Sequence, residues 1–425
     1  MLLASFHPLN ALVFGLDTGT IGPVTTMLSF KDTFGELSPT LHGIVVSSVL
    51  LPGAVTALIT GVLADRYGRT RIIGIGSLVY GVGATLETSS GWLAMFIVGR
   101  LLKGVGEGLF LSTVYVHVCE ISPARKRGIM ASVAQFLITL GIVLGSFICY
   151  GTSHLSGSIS WRLPIALQAG IAFANATAST FLPQSPRWLQ IIDQLGLEEA
   201  EKLELQLQST ESLPHSPDVP FWQSMREIAH DLKEALDSPF SGRTLFGYFL
   251  LAFQQFSGID GVLYYAPILL QMAGIASQNA SFLASGVSAI VIMVVTLPAT
   301  LLADAWGRKT STVVSGSLIF TLMLISASLY ASGEVHADKG AARWVVIVNI
   351  YLFAAVYSAT WAIGFRAFLI ESLPNSMYSS IFHLSTSCIE KRYSERQTLR
   401  RQTMSTGKWS FPTRRFRLRA TPVPS

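Results

Sequence analysis

The sequence "GVLADRYGRTR" (residues 61–71) lies between two apolar runs and has a counterpart far along the chain. Residues 301–310, LLADAWGRKT, repeat its order of an acidic residue, an aromatic residue, a glycine and an arginine. A second pair of matching segments follows in the same order, with EISP at 120–123 and ESLP at 371–374. These matches predict a duplicated fold, and internal repeats are typical of transporters.

The composition indicates a membrane protein. Of the 425 residues, 50% are hydrophobic and 13% are charged, and the mean hydropathy is +0.49. Soluble proteins contain about 25% charged residues, so the composition excludes an ordinary soluble domain. The cysteines Cys119, Cys149 and Cys388 form neither a disulfide framework nor a metal-ligand spacing. We therefore expect no metal and no cofactor, and no nucleophile–base pattern predicts an enzyme.

Ten stretches are apolar and, at roughly 20 residues, long enough to cross a bilayer. They lie at about 8–29, 41–64, 71–88, 92–118, 128–151, 162–182, 243–273, 281–303, 310–332 and 344–370. A polar segment separates the sixth from the seventh and holds 11 of the 25 acidic residues. We therefore expect an all-α integral membrane protein with four parts. These are an N-terminal six-helix bundle (1–182), a cytoplasmic linker (183–242), an incomplete four-helix C-terminal bundle (243–375) and a basic tail (376–425).

The distribution of basic residues predicts the orientation of the chain. The net charge of +5 does not indicate a nucleic-acid partner, because ten of the 30 Lys and Arg residues follow Glu371. Cytoplasmic loops carry an excess of Lys and Arg. The basic loops follow the second, fourth and eighth spans, at 66–71, 125–127 and 308–309, while the loop after the ninth span is an exception with Lys339 and Arg343. We expect both termini in the cytoplasm.

The same segments resemble the signatures of a known family. GVLADRYGRTR is similar to the loop signature between the second and third helices of the major facilitator superfamily. EISPARKRG (120–128), PQSPRWL (183–189) and QQFSGIDGVLYYAP (254–267) resemble motifs of its sugar porter family, nearest to the fungal members. The resemblance covers about 10–375. It implies the major facilitator fold of two pseudo-symmetric six-helix bundles, here with about ten transmembrane helices and the last two missing.

The resemblance implies a cytoplasmic gate that is closed by ion pairs between the loops. The gating residues of the two halves are Asp65, Arg69, Glu120 and Arg127, and Asp304, Arg308 and Glu371. Ala305 stands where an arginine is expected, and Tyr378 matches Arg127. We therefore expect a weaker gate in the second half. The alternative is that the loop arginines only set the topology.

A sugar site requires amides that donate and accept hydrogen bonds and aromatic faces that contact the ring. Gln254 and Gln255 fit this need, because an unpaired amide is costly in an apolar helix. The alternative for these two is hydrogen bonding between helices. By resemblance, the substrate-binding set is Phe14, Gln135, Gln254, Gln255, Asp260, Tyr264 and Trp361.

This set departs from the family pattern. Asp260 replaces a family asparagine, and Arg366 stands at the position of a substrate-stacking tryptophan, with Trp361 nearby. An arginine opposite an aspartate suits an acidic or unusual substrate, or indicates that hexose specificity is lost. Tyr264 and Tyr265 are candidates for lining or gating the site.

Asp17 lies in the middle of the apolar segment ALVFGLDTGTIGP (11–23), where a carboxylate costs at least ~2.5 kcal/mol. In GRLLKGVGEG, the spacing puts Arg100, Lys103 and Glu107 on one helix face. We expect Lys103 to pair with Glu107, which leaves Arg100 for Asp17.

Asp17 and Arg100 match the coupling pair of proton-coupled sugar porters, with Gln168 as a third member. We expect Gly15, Gly19 and Gly22 to permit the close helix approach that the pair needs. The alternative is a purely structural buried pair.

The family pattern ends near residue 388. The segment 389–425 is basic and polar and contains no run able to cross a bilayer. We expect this polypeptide to transport poorly or not at all, because an eleventh helix would complete the sugar site. The alternative is a natural ten-helix variant with a basic tail.

The resemblance implies secondary active transport of a sugar, most simply a monosaccharide, across the plasma membrane by proton symport. The expected partners are the sugar, protons and the lipid bilayer, and the expected state is a monomer. The alternatives are a proton-independent facilitator, a sugar sensor that does not transport, and an inactive truncated product.

Overall fold

The computed structural model of the chain describes residues 9–121, 127–182, 249, 252–273, 275, 277–302, 308–332 and 340–361. All regular secondary structure in these ranges is helical. The predicted linker (183–242) and basic tail (376–425) lie outside the described residues. The four-part division of the chain therefore stays a prediction.

The first half forms eight helices. They are α1 (Leu9–Thr26), α2 (Leu28–Phe34), α3 (Pro39–Ser47), α4 (Leu50–Tyr67), α5 (Arg69–Ser89), α6 (Leu93–Ile121), α7 (Arg127–Thr152) and α8 (Ile159–Phe181). The described part of the second half includes the helices α9 (Ile259–Met272), α10 (Gln278–Leu302), α11 (Arg308–Ala331) and α12 (Ala342–Thr360).

Local chemistry explains several helix ends. Ser38 caps α3 by accepting a hydrogen bond from the Leu41 amide at 3.3 Å, and Pro39 occupies the first turn. Gly68 separates α4 from α5 at φ +94°, and Gly258 precedes α9 at φ +85°. Glycine is favoured at both points because positive φ strains residues that carry a Cβ.

The membrane-spanning helices agree with the composition. Six segments of the described residues are long and apolar enough to cross a bilayer: Pro39–Tyr67, Arg69–Ser89, Val133–Thr152, Ala280–Ala299, Thr312–Ala331 and Ala342–Thr360. A seventh consists of α1 and α2 together, with a 72° bend between them. The 29-residue α6 and the 23-residue α8 also have sufficient length. The chain is an all-α, multi-pass membrane protein, and the count of ten spans stays a prediction.

Three expected spans differ from single straight helices, and in the second of them, 41–64, α3 ends at Ser47 before α4 begins at Leu50. The first, 8–29, bends at Met27, which has extended backbone angles. The seventh, 243–273, is interrupted at Ser257 and Gly258, so α9 begins only at Ile259. The left-handed backbone at Gly258 is the physical reason for the break before α9.

Glycines bring the helices of the first half together. A Cβ at Gly15 or Gly19 of α1 would collide with the carbonyls of Ile138 and Ile142 on α7. On α1, therefore, these two glycines approach α7, and Gly22 approaches the Tyr264 carbonyl of α9. The nearest atoms to these three glycines thus belong to α7 and α9, whereas the sequence predicts that they serve the approach to Arg100 on α6. Small residues act in this way because they allow helix backbones to approach closely in a membrane.

The core of the first half includes an aromatic cluster. Phe30 and Phe34 of α2 pack against Phe96 of α6 and Trp161 of α8, with the Phe30 and Trp161 centroids 5.6 Å apart.

The outer face of α4 carries apolar side chains that are exposed, namely Leu51, Val55 and Leu58. Exposed leucine and valine on a membrane helix form a lipid-facing surface.

In the described part of the chain, the two halves meet mainly along two helix pairs. Helix α1 contacts α9, and α7 contacts α10. A small cavity between these four helices is lined by Gly19, Pro23, Ile142, Ser146, Leu263, Ala266, Pro267, Ser285, Ser288 and Ala289.

Candidate functional site

Three helices bring charged side chains into the interior of the first half, and a fourth contributes a glutamine. Asp17 lies on α1, Glu87 on α5, and Arg100 and Lys103 on α6. Gln168 of α8 joins them. All five side chains are buried, although they belong to a membrane domain. Ionisable residues inside a membrane domain are costly and are by default candidates for function.

The charges form a closed ring in which each cation contacts both carboxylates. Lys103 Nζ lies 2.5 Å from Asp17 Oδ1 and 2.9 Å from Glu87 Oε2. Arg100 lies 3.6 Å from Asp17 Oδ2 and 3.5 Å from Glu87 Oε1. Arg100 also donates to the Val46 carbonyl at 3.0 Å. The ring is neutral when both acids are ionised, and neutrality lowers the cost of burial.

Gln168 extends the ring towards α1 and α5. Its Oε1 accepts hydrogen bonds from Lys103 at 2.9 Å and from the Tyr80 hydroxyl at 3.1 Å. Its amide nitrogen donates to Thr20 Oγ1 at 2.6 Å. The Lys103 ammonium also lies over the Tyr80 ring, 5.1 Å from the centroid. The ring and Gln168 therefore connect α1, α5, α6 and α8 through direct contacts.

The expected pair of Lys103 with Glu107 is wrong. Lys103 extends across to α1, α5 and α8, where its three donors find three acceptors. Among the described residues, Glu107 Oε2 has no hydrogen-bond partner. The sequence analysis also missed Glu87, although it is the sole acidic residue between Asp65 and Glu107. An isolated acid in an apolar segment was the signal that could have found it.

The neighbouring glutamines Gln254 and Gln255 have different surroundings. Gln254 is buried and donates to the Tyr357 hydroxyl at 3.1 Å and to the Trp361 carbonyl at 3.2 Å. Gln255 is exposed, and its amide nitrogen lies 3.4 Å from Asp260 Oδ2. Of the two glutamines, Gln255 is therefore the one that presents its amide at an accessible surface, beside Asp260.

The aromatic candidates are distributed over both halves. Phe14 is partly buried against the α7 core, and Gln135 is partly exposed on α7. Tyr264 is buried in α9. Trp361 donates its indole N–H to the Thr312 carbonyl at 3.2 Å.

Two of the expected gating residues, Asp65 and Arg69, contact each other within one loop in the described part of the chain, and the expected ion pairs between loops stay a prediction. Arg69 Nη2 lies 2.6 Å from Asp65 Oδ1 across the Gly68 turn, and Arg69 Nη1 donates to the Ala64 carbonyl at 3.0 Å. The Arg69 side chain is 1% exposed. The remaining gating residues have side chains outside the described part: Glu120, Arg127, Asp304, Arg308 and Glu371.

A contact between the two halves involves α3, away from the Asp65–Arg69 turn at the end of α4. His42 of α3 packs edge-on against Tyr265 of α9, with 5.1 Å between the ring centroids. His42 Nε2 also lies 2.9 Å from Thr25 Oγ1 of α1. The sequence analysis proposed Tyr265 for a gate but missed His42.

The family model for sugar (and other) transporters matches residues 3–389. The chain belongs to this family. It is therefore a membrane transporter protein and not an enzyme.

Three curated relatives illustrate the similarity. The glucose transporter GlcP of Staphylococcus epidermidis is 30% identical over 369 residues, which span 86% of this chain and 79% of the relative. The high-affinity glucose transporter of Kluyveromyces lactis is 26% identical over 394 residues, 86% of this chain and 70% of the relative. The high glucose sensor RGT2 of Saccharomyces cerevisiae is 28% identical over 382 residues, 85% of this chain and 48% of the sensor.

Solved structures confirm the fold of the family. The chain superposes on a D-xylose-proton symporter with a TM-score of 0.67 and 22% identity, covering 90% of this chain and 85% of the symporter. The xylose transporter XylE from E. coli in a partially occluded, inward-open conformation gives a TM-score of 0.66. It shares 22% identity over 91% of this chain and 88% of its own. The chain has the major facilitator fold.

Proposed function

We propose that this transporter carries a sugar, most simply a monosaccharide, across the plasma membrane together with protons. The observation that carries the proposal is the buried Asp17 carboxylate, which is held by Lys103 at 2.5 Å and by Arg100 at 3.6 Å. The names of the two glucose transporters support a sugar as substrate. The D-xylose-proton symporter among the structural relatives supports proton coupling.

The coupling step follows from electrostatics. An ionised Asp17 attracts two cations of α6 and therefore holds α1 against α6. Protonation of Asp17 removes that attraction and leaves Arg100 and Lys103 with Glu87 as their acidic partner. Because ion pairs are strong where water is excluded, this change alters the preferred arrangement of the helices. Gln168, which is bonded to Lys103 and to Thr20 of α1, would transmit the same change.

The sugar would be bound between the halves by polar and aromatic groups from α1, α7, α9 and the end of α12. The proposed donors and acceptors are Gln135, Gln254, Gln255 and Asp260. The proposed aromatic contacts are Phe14, Tyr264 and Trp361. The hydroxyls of Ser146, Ser285 and Ser288 extend this polar lining at the cavity between the halves.

Alternating access needs a gate at each end of this path. We assign the inner gate to Asp65 and Arg69, together with Glu120, Arg127, Asp304, Arg308 and Glu371. The outer gate would be the contact of His42 with Tyr265. With both termini in the cytoplasm, these two contacts lie on opposite sides of the membrane.

Two experiments test the proposal, and the first does not require a complete transport cycle. Binding of glucose and xylose to the purified 425-residue protein is measured by tryptophan fluorescence over a range of pH. We expect sugar affinity that depends on pH in the wild type and not in Asp17→Asn. If the protein binds neither glucose nor xylose, the proposed sugar site is contradicted. If the wild type binds sugar with an affinity that does not depend on pH, a facilitator is favoured.

The second experiment measures transport in proteoliposomes. Because the chain lacks the last two family helices, we expect slow uptake by the 425-residue protein. The sugar accumulation that an imposed inward proton gradient drives in the wild type should be absent in Asp17→Asn, which should retain exchange. Asp32→Asn, at an exposed position of α2, is the matched control. Binding without any uptake would instead favour the sensor or inactive-product alternatives, and the similarity to the sensor RGT2 is the observation behind the former.

A further inference from the structure

The buried charges near Asp17 do not balance. Three carboxylates, those of Asp17, Glu87 and Glu107, lie buried with two cations, Arg100 and Lys103. If all five were ionised, the group would carry one net negative charge inside a membrane domain. Such uncompensated charge is costly away from water. One proton on the group would restore neutrality.

The hydrogen bonds show which carboxylate lacks a partner. An ammonium group has three donors, and those of Lys103 are directed to Asp17, Glu87 and Gln168. Nothing remains for Glu107, although it lies only one helical turn away. Arg100 is seven residues from Glu107, roughly 10 Å along the helix axis, and pairs with Asp17 and Glu87. Within the described residues, Glu107 Oε2 has no hydrogen-bond partner, and the residue is 7% exposed.

We propose that Glu107 is a proton-binding site and that its carboxyl group is protonated in this conformation. A proton from water forms the O–H bond of the Glu107 carboxyl, and the charge of the buried group changes from −1 to 0. The other acids need no proton, because each carboxylate oxygen of Asp17 and Glu87 lies within 3.6 Å of a cation.

The titratable groups around Glu107 come from four helices. Asp17 of α1, Arg100 and Lys103 of α6 itself, Tyr80 of α5 and Tyr264 of α9 all interact with it electrostatically. Glu87 of α5 belongs to the same buried group through Lys103.

Asp17 and Glu107 repel each other when both are ionised. A single proton on Glu107 removes this repulsion. The role of Glu107 in coupling rests on the proposed symport. Its protonation in the resting protein does not.

Infrared spectroscopy of the purified full chain tests the protonation directly. A protonated carboxylic acid has a C=O stretching band that a carboxylate lacks. At neutral pH we expect this band in the wild type and in Glu36→Gln, an exposed control, and its loss in Glu107→Gln. A band that persists unchanged in Glu107→Gln, or no band in the wild type, overturns the proposal.

Thermal unfolding tests whether Glu107→Gln is folded as stably as the wild type. Glutamine resembles the protonated acid in shape and charge, so Glu107→Gln should melt at or above the wild-type temperature. A clear loss of stability would mean that Glu107 is ionised and structurally paired, which also contradicts the proposal. Glu87→Gln removes a paired carboxylate and should lower the melting temperature.

The proteoliposome assay separates this inference from the proposed function. If the wild type accumulates sugar, Glu107→Gln should lose accumulation and retain exchange. If accumulation is unchanged in Glu107→Gln, Glu107 does not take part in coupling. If the wild type never accumulates sugar but the infrared band is lost in Glu107→Gln, symport fails and the proton site stands.

Discussion

Lys103 holds Asp17 and Glu87 at the same time, with its Nζ 2.5 Å from Asp17 Oδ1 and 2.9 Å from Glu87 Oε2. This one side chain of α6 therefore ties α1 to α5. Arg100 makes the same two connections one turn earlier at 3.6 and 3.5 Å. The buried charges of the first half thus form a four-member ring and not a single pair.

Lys103→Met should strongly destabilise the protein. Removal of one partner of a buried ion pair costs about 3–5 kcal/mol, because the remaining charge stays buried. The expected result is a clearly lower melting temperature of the purified protein in detergent. The double variant Lys103→Met with Glu87→Gln should recover part of the loss, since it removes one charge of each sign. Lys31→Met, at the partly exposed Lys31, is the control. If Lys103→Met and Lys31→Met lower the melting temperature equally, the ring is contradicted.

Gly15→Ala should disturb the crossing of α1 and α7. The added Cβ would meet the backbone carbonyl of Ile138, which cannot rotate aside as a flexible side chain does. Overpacking of this kind typically costs about 1–3 kcal/mol. The measurement is the yield and melting temperature of monodisperse protein. Gly170→Ala in α8 is the matched control, because nothing lies within 4 Å of its added Cβ, and similar losses in both variants would refute the crossing.

Asp65→Asn should destabilise the turn between α4 and α5. Arg69 is almost fully buried, and the substitution removes the carboxylate that lies 2.6 Å from its guanidinium, while the Ala64 carbonyl still accepts a hydrogen bond from it. In a double-mutant cycle with Arg69→Gln, we expect a coupling energy of about 0.5–3 kcal/mol, the range found for directly contacting residues. Arg66→Gln, on the exposed side of the same turn, should show no such coupling to Asp65→Asn.

The adjacent glutamines of the second half should respond differently to alanine substitution. Gln254→Ala removes two hydrogen bonds to α12 and its end, so it should lower both stability and sugar affinity. Gln255→Ala changes an exposed amide and should lower sugar affinity alone. Melting temperature and fluorescence titration with glucose measure the two effects. A loss of stability in Gln255→Ala, with affinity unchanged, would show that the assignment is reversed.

Much of the fold could be predicted from the sequence because the signals are local. Long apolar runs set the helices, and the motif at 61–71 indicated the family. A single acid in an apolar segment likewise drew attention to Asp17, and the spacing on α6 drew attention to Arg100. The breaks at Met27 and Gly258 were missed. The dipeptide Ser257-Gly258 was the local signal for the second break, and no comparable turn signal marks Met27.

By itself, the sequence determined that this is a helical membrane transporter and that charged groups are buried in its first half. Only the tertiary structure decided the partners of those charges. Helix periodicity puts Lys103 and Glu107 on one face, but the close approach of α5 and α6 at Gly83 and Gly99 brings Glu87 within reach of Lys103. A long lysine side chain then extends to the acceptors of other helices, because together they satisfy all three of its donors.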